Sequence, residues 1–208
     1  MTPRFITLEG GEGTGKSTQA KRLAAALKKQ GVEAVVTREP GGSPGAEQIR
    51  QLLVEGDPGR WDGRTETLLV FAGRVDHIER TIKPALAAGQ WVISDRFTDS
   101  TYVYQGIGRG VDRETIRRIE SVAIGDFKPD FTLILDLPVS VGLERAKARQ
   151  SSENRFEGFD AAWHEKLRAA FRDVANRHAD RCVLLDAGGS EDEVAGLIWN
   201  SVAKRFSL

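Results

Sequence analysis

With 208 residues the chain is long enough to bury one sizeable core and short enough to be a single domain. Thirty basic residues balance 30 acidic ones in a composition that is 40% hydrophobic and 29% charged, so no overall field draws this ordinary globular chain to nucleic acid or an anionic membrane. The one cysteine, Cys182, excludes an intrachain disulfide, and no apolar run approaches membrane-spanning length, so the expected compartment is the cytoplasm.

Phe5-Ile6-Thr7-Leu8 reads as a short buried strand, and Ala20, Leu23, Ala24 and Leu27 recur at helical spacing until Gly31 ends the run. Between them lies Gly10-Gly11-Glu12-Gly13-Thr14-Gly15-Lys16-Ser17, followed by Thr18, which fits the phosphate-loop pattern G-x-x-x-x-G-K-[ST] at every fixed position. Glycines at this density let backbone N–H groups turn inward around an anion, because no Cβ obstructs the approach and positive φ costs little. Lys16 then neutralises the β and γ phosphates, the Ser17 hydroxyl holds magnesium, and the helix N-terminus adds its partial positive charge. A glycine-rich turn that happens to carry a Lys-Ser pair is the alternative, and the strand and helix flanks weigh against it.

Glu33 to Thr37 reads as a second strand, and Arg38-Glu39-Pro40-Gly41-Gly42-Ser43-Pro44-Gly45 as a loop at the strand end, where ligands bind in α/β sheets. A helix through about Leu53 and a connection at Gly56 to Gly59 lead to a long helical pattern with Leu68, Phe71, Val75, Ile78, Ile82 and Leu86 on one face, kinked by Pro84 and ended by Gly89. Trp91 to Asp95 is a buried strand ending in an acid, followed by a polar, glycine-rich stretch from Thr98 to Gly110. Asp112 caps a helix bearing Ile116, Ile119 and Ala123, Phe131 to Asp136 is the fourth strand, and a helix with Val141, Leu143 and Ala146 runs into a basic segment from Arg149 to Phe159. A helix with Trp163, Leu167, Phe171 and Val174, a strand at Cys182 to Leu185 and a final helix complete the chain. That final helix opens on a Ser190/Glu193 capping box and carries Val194, Leu197, Ile198 and Val202. Strands alternating with helices imply a five-stranded parallel sheet, doubly wound, with helices on both faces.

The acid of Asp95-Arg96-Phe97, at a strand end, suits magnesium, and the arginine beside it suits a phosphate on the acceptor side. An Asp–Arg surface pair is the alternative, favoured only without the phosphate loop. In chain order, Glu12 in that loop, Arg38-Glu39-Pro40-Gly41-Gly42, Phe71-Ala72-Gly73-Arg74, Asp95-Arg96-Phe97 with Ser100, Thr101, Tyr104 and Gln105, and the basic stretch Arg149 to Glu157 together resemble the thymidylate kinase family over nearly the whole chain. The resemblance implies a P-loop nucleoside monophosphate kinase-like fold, phosphoryl transfer from ATP to dTMP with magnesium, and a homodimer. It implies that Lys16 and Arg96 meet the migrating phosphoryl group, and that Ser17 and Asp95 lie on the magnesium side. Glu12 lies near the sugar 3′-hydroxyl, Arg74 reads the base and Tyr104 lies against the deoxyribose. Arg38, Ser100, Thr101 and Gln105 complete the acceptor side.

The family sets its base-stacking phenylalanine four residues before the helix arginine, where this chain has Val70, with the aromatic at Phe71. One residue turns a side chain by about 100° around a helix, so Phe71 is either a stacking ring after local adjustment or a core residue. Gly11, Glu12, Gly13 and Thr14 carry no cation, which resembles the bacterial subclass whose catalytic arginine comes from a mobile lid at about 149–159, here Arg149 or Arg155. A charged surface loop is the other reading of that segment. Another nucleoside or nucleoside monophosphate kinase is the close alternative; a P-loop GTPase is distant, since Phe127-Lys128-Pro129-Asp130 lacks the asparagine of a guanine-reading Asn-Lys-x-Asp segment. A purely structural ATP-binding module leaves the Asp95-Arg96 pair without a reason.

Overall fold

A computed structural model describes residues 2–57, 59–148 and 155–208. Among them the strands β1 (Phe5–Glu9), β2 (Ala34–Arg38), β3 (Trp91–Asp95), β4 (Phe131–Asp136) and β5 (Cys182–Asp186) form one sheet in the order β2-β3-β1-β4-β5, all parallel. The three inner strands are apolar runs because both of their faces are covered, and alternate residues serve opposite layers. Ile6, Leu8, Ile93, Leu133 and Leu135 meet α1 (Lys16–Lys29) and α9 (Glu191–Phe206) through Leu23, Leu27, Val194 and Ile198. Phe5 and Val92 point the other way, onto Ile78, Ile82 and Ala85, while Ile134 meets Leu167 and Phe171 of α8 (Ala161–Arg177).

The remaining helices follow their local signals closely. Pro44 and Gly45, read as loop from the sequence, form the first turn of α2 (Pro44–Val54), where the missing proline N–H has no partner to lose. Asp62 caps α3 (Gly63–His77), Asp112 caps α6 (Arg113–Ile124), and Ser190 with Glu193 forms the expected capping box of α9. The long helical pattern is α3, then a π turn at Ile78–Ile82, then α4 (Lys83–Ala87). The wider turn falls just ahead of Pro84, whose ring opposes the regular α ladder one turn earlier. Leu68 and Leu197, expected on buried faces, are 53% and 43% exposed.

The polar stretch after β3 is helical: α5 (Thr98–Thr101) runs into a π segment at Tyr102–Gly108. Local propensity argues against a helix there, but Val103 and Tyr104 are buried against α8 and tertiary packing wins. The arrangement sets Leu8 of β1 beside Asp95 of β3, so the loops leaving both strands open into one crevice at the C-terminal edge of the sheet. From the far side, α7 (Val139–Lys147) presses on the first of these loops: a Cβ on Gly13 would lie 1.9 Å from the Gly142 carbonyl oxygen, and one on Gly142 would lie 2.4 Å from that of Glu12.

Candidate active site

The loop after β1 turns through left-handed glycines at Gly10, Gly13 and Gly15, with φ of 136°, 68° and 86°, and delivers the chain into α1 at Lys16. Lys16 folds back across its loop and donates from Nζ to the Gly11 carbonyl at 2.7 Å and to Thr14 Oγ1 at 3.2 Å. Burial and the nearby Arg96 cation lower its ammonium to about 8, although Asp95 and Glu12 pull the other way. A bound polyphosphate adds negative charge and favours the ammonium. Ser17 donates from Oγ to Asp95 Oδ2, bringing together the two oxygens expected on the metal side. Glu12, Gly13, Thr14, Gly15 and Thr18 line the same cleft, whereas Gly10 and Gly11 serve behind it through their carbonyls.

Among the described residues, Arg96 is the one non-glycine residue inside the crevice with a left-handed backbone, φ 74°. Both sides of its peptide are tied down: its N–H donates to the Leu8 carbonyl at 2.9 Å and its carbonyl accepts from Ser94 Oγ at 2.8 Å. The guanidinium then reaches back to the phosphate loop, donating to the Gly10 carbonyl at 2.8 Å, to Glu12 at 2.9 Å and to Ser100 Oγ at 3.2 Å, with its carbon 4.8 Å from the Tyr104 ring centre. Tyr104 donates its hydroxyl to the same Glu12 oxygen at 2.7 Å. Burial works against ionisation of Glu12, but Arg96 and Lys16 outweigh it and hold the carboxyl at about 2. Beneath this cluster Glu9, fully buried, accepts the Phe97 N–H at 2.8 Å and the Ser100 hydroxyl at 2.5 Å; burial and then Asp99 push its carboxyl up to about 8.

On the opposite wall, Arg74 of α3 donates from Nε to Glu39 at 2.7 Å and from Nη2 to Thr101 Oγ1 at 3.0 Å, with its guanidinium carbon 4.8 and 5.0 Å from the ring centres of Phe71 and Phe97. Glu39 also accepts from His77 Nδ1 at 2.9 Å. Arg38 sits at the rim, paired with Glu47 at 3.1 Å. Phe71 is a correction to the sequence reading. Its ring is 2% exposed beneath Arg74, and the cleft wall at this level is Val70, so the one-residue offset is not undone by any local adjustment of the helix. Gln105 lines the cleft and donates to the buried Glu66 at 3.3 Å.

Arg155 differs too. Composition suggests a solvated, mobile stretch, yet Arg155 is 1% exposed in a short 3-10 turn, Arg155–Gly158, donating to the carbonyls of Asp57 and Leu53 at 3.0 Å each and to Glu66. Glu66, itself fully buried, also faces Arg109 at 3.2 Å. A buried carboxylate gathers cations wherever the chain supplies them, and this overrides the polar composition of the segment. Arg149 lies outside the described residues.

These walls enclose a cleft of about 720 Å³, within the range of sites that hold small molecules. The phosphate loop and Arg96 divide it. Val70, Arg74, Thr101, Tyr104 and Gln105 line one arm, and Gln19, Arg145, Ala187, Gly189 and Val194 the other. Arg50, Leu53 and Phe156, also in the lining, were not foreseen, since nothing local marks an α2 residue as facing a site on the sheet edge. Glu39 stood in a motif already noted and was legible as a partner for Arg74, had buried charge been paired across the two segments. No described helix is long and apolar enough to cross a membrane.

The family model described as thymidylate kinase matches residues 8–198. The thymidylate kinase of Jannaschia sp. (strain CCS1) is 51% identical over 207 residues, covering 100% of this chain and 99% of that protein. That of Caulobacter vibrioides is 52% identical over 204 residues, 98% of each chain. Among solved structures, the crystal structure of thymidylate kinase from Ehrlichia chaffeensis superposes with a TM-score of 0.77 at 32% identity, covering 97% of this chain and 99% of that one.

Proposed function

The chain belongs to the thymidylate kinase family, a family of nucleoside monophosphate kinases, and from that premise we propose how its residues carry the γ-phosphoryl group from ATP to dTMP. An oxygen of the dTMP phosphate attacks the γ-phosphorus while the bond from that phosphorus to the β–γ bridging oxygen breaks, leaving dTDP and ADP. Such a transfer asks for alignment and for cations around spreading negative charge. Lys16 and Arg96 supply those cations, one on a helix N-terminus and one on a constrained turn. The observation that carries this reading is Arg96 reaching from the end of β3 to the Gly10 carbonyl and Glu12, which sets a second cation against the donor loop.

Ser17 and Asp95, hard oxygen donors already in contact, are the residues that would hold a magnesium ion. When bound, that ion neutralises phosphate charge and keeps the β and γ groups in register. Glu12 and Tyr104 take the deoxyribose side, Tyr104 filling the room a 2′-hydroxyl would need, while Arg74 reads the base above Ser100, Thr101 and Gln105. Arg149, in the segment at 149–159, is the residue left to supply a further cation. We place the enzyme in the cytoplasm, and as a homodimer that buries Leu68 and Val122, which are 53% and 90% exposed on the adjoining helices α3 and α6.

The test is a coupled assay of ADP release with a panel of nucleoside monophosphates at fixed ATP. Turnover with dTMP should exceed that with every ribonucleotide and with dCMP. Equal turnover across the panel, or preference for another acceptor, would reject the assignment of the arm around Arg74.

A further inference from the structure

Arg74 is held on more sides than a surface arginine ever is. Its Nε and Nη2 are both committed, to Glu39 and Thr101, and its guanidinium carbon lies 4.8 and 5.0 Å from the ring centres of Phe71 and Phe97. The remaining nitrogen, Nη1, is buried and has no hydrogen-bond partner among the described residues. A guanidinium has donors only, so this leaves one donor edge uncommitted in a residue that lines the cleft.

What fixes that edge is the carboxylate behind it. The Glu39 side chain is 5% exposed, and its two oxygens are divided: Oε2 accepts from Arg74 Nε at 2.7 Å and Oε1 from His77 Nδ1 at 2.9 Å. The far ring nitrogen of His77 lies 2.7 Å from Thr37 Oγ1 on β2, so the sheet itself anchors the chain of contacts. His77 is fully buried and three residues beyond Arg74 on α3, hence on the same side of the helix. A carboxylate whose two oxygens each face a donor can neither rotate away from one nor approach the other without losing a charge-assisted bond.

We infer that Glu39, braced by His77 and Thr37, is a positioning residue that holds the Arg74 guanidinium fixed at the cleft wall where the acceptor base docks, favouring a base with a carbonyl at that point over one with an amino group. The inference rests on the proposed reading of Arg74 as the base-contacting arginine, and it explains a buried Glu–His–Thr chain that phosphoryl transfer itself does not use. Without the brace, Arg74 keeps its charge but can swing its donors, and a site of swinging donors discriminates poorly.

The experiment compares Glu39→Gln, Arg74→Ala and the double variant, with His77→Asn and His77→Leu alongside, in steady-state assays with dTMP, dCMP and ATP varied in turn. Asparagine keeps an N–H at the place of Nδ1, and leucine does not. Glu39→Gln should raise the KM for dTMP on the order of tenfold, narrow the preference for dTMP over dCMP, and leave the KM for ATP within about twofold of wild type. The double variant should be no worse than Arg74→Ala, and His77→Asn should keep the dTMP preference that His77→Leu loses. If Arg74→Ala leaves the KM for dTMP unchanged, the reading of Arg74 fails. If Arg74→Ala raises it while Glu39→Gln does not, or if the two losses multiply in the double variant, the positioning role is overturned and Arg74 stands without it. A parallel rise in the KM values for ATP and dTMP in both His77 variants likewise overturns it, since general damage spares neither substrate.

Discussion

Single residues at this site are set against their own chemistry. Lys16 is an ammonium buried beside another cation, a poor place for charge until phosphates arrive. Replacing it with alanine removes a positioned cation from the transition state, so turnover should fall by a factor of about a hundred or more while the melting temperature holds; unchanged turnover in a stopped-time ADP assay would contradict the phosphate-loop role. Glu9 behaves in the opposite sense. Burial and Asp99 raise its carboxyl from an ordinary 4.5 to about 8, so the folded chain holds a proton there that the unfolded chain releases. The stability this contributes is complete below about pH 4.5, declines as pH rises toward about 8, and is constant beyond. Glu9→Gln, which cannot titrate, should narrow the difference in melting temperature between about pH 5 and pH 8; an unchanged difference in scanning calorimetry would mean Glu9 is ionised throughout. At this scale the sequence was legible wherever a motif fixed a spacing, as from Gly10 to Ser17. It was not legible at Val70 and Phe71, where a single step of rotation decides which side chain meets the cleft and no residue type records the choice.

Elements were readable in proportion to how far their signals are local. The apolar runs of β1, β3 and β4, the Asp112 cap and the Ser190–Glu193 box each carry their information within a few residues, and each is found where the pattern puts it. The helix from Thr98 and the turn at Arg155–Gly158 carry theirs elsewhere, in α8 and in Glu66 of α3. That turn gives the clearest prediction at this scale. Arg155 ties it to α2 through the Leu53 carbonyl and to α3 through Glu66, so Arg155→Ala leaves a buried carboxylate short of a partner and should cost on the order of 3 kcal/mol in urea unfolding. An effect below about 0.5 kcal/mol would show the pair to be no stronger than a surface ion pair. The same measurement, set beside the kcat of the variant, separates an arginine that holds the turn from one that serves the phosphates.

For the whole molecule, the strand order β2-β3-β1-β4-β5 brings the ends of β1 and β3 together, so that the phosphate loop and Arg96 meet without either crossing the sheet. One face of the molecule is not accounted for by this arrangement. Val122 is 90% exposed on α6 and Leu68 53% exposed on the adjoining α3, two apolar side chains that water covers in a lone chain. Val122→Glu should convert the proposed dimer to monomer in light scattering at micromolar concentration, with the fold retained by circular dichroism. A wild-type mass of one chain, or a dimer indifferent to the substitution, would count against this face as the contact.

The touching backbones of Gly13 and Gly142 bear on how the chain tolerates change over generations. With a hypothetical Cβ at either position driven to 1.9 or 2.4 Å from a carbonyl oxygen, neither site admits even alanine without a shift of main chain. A lineage is therefore free to vary the surface of α7 but not its point of contact with the phosphate loop. A substitution at Gly142, far along the sequence from Lys16, would be inherited as a defect in handling ATP. Ranking positions by their distance from a catalytic motif along the chain would miss it, and so would ranking them by side-chain chemistry, because what is being kept there is the absence of a side chain.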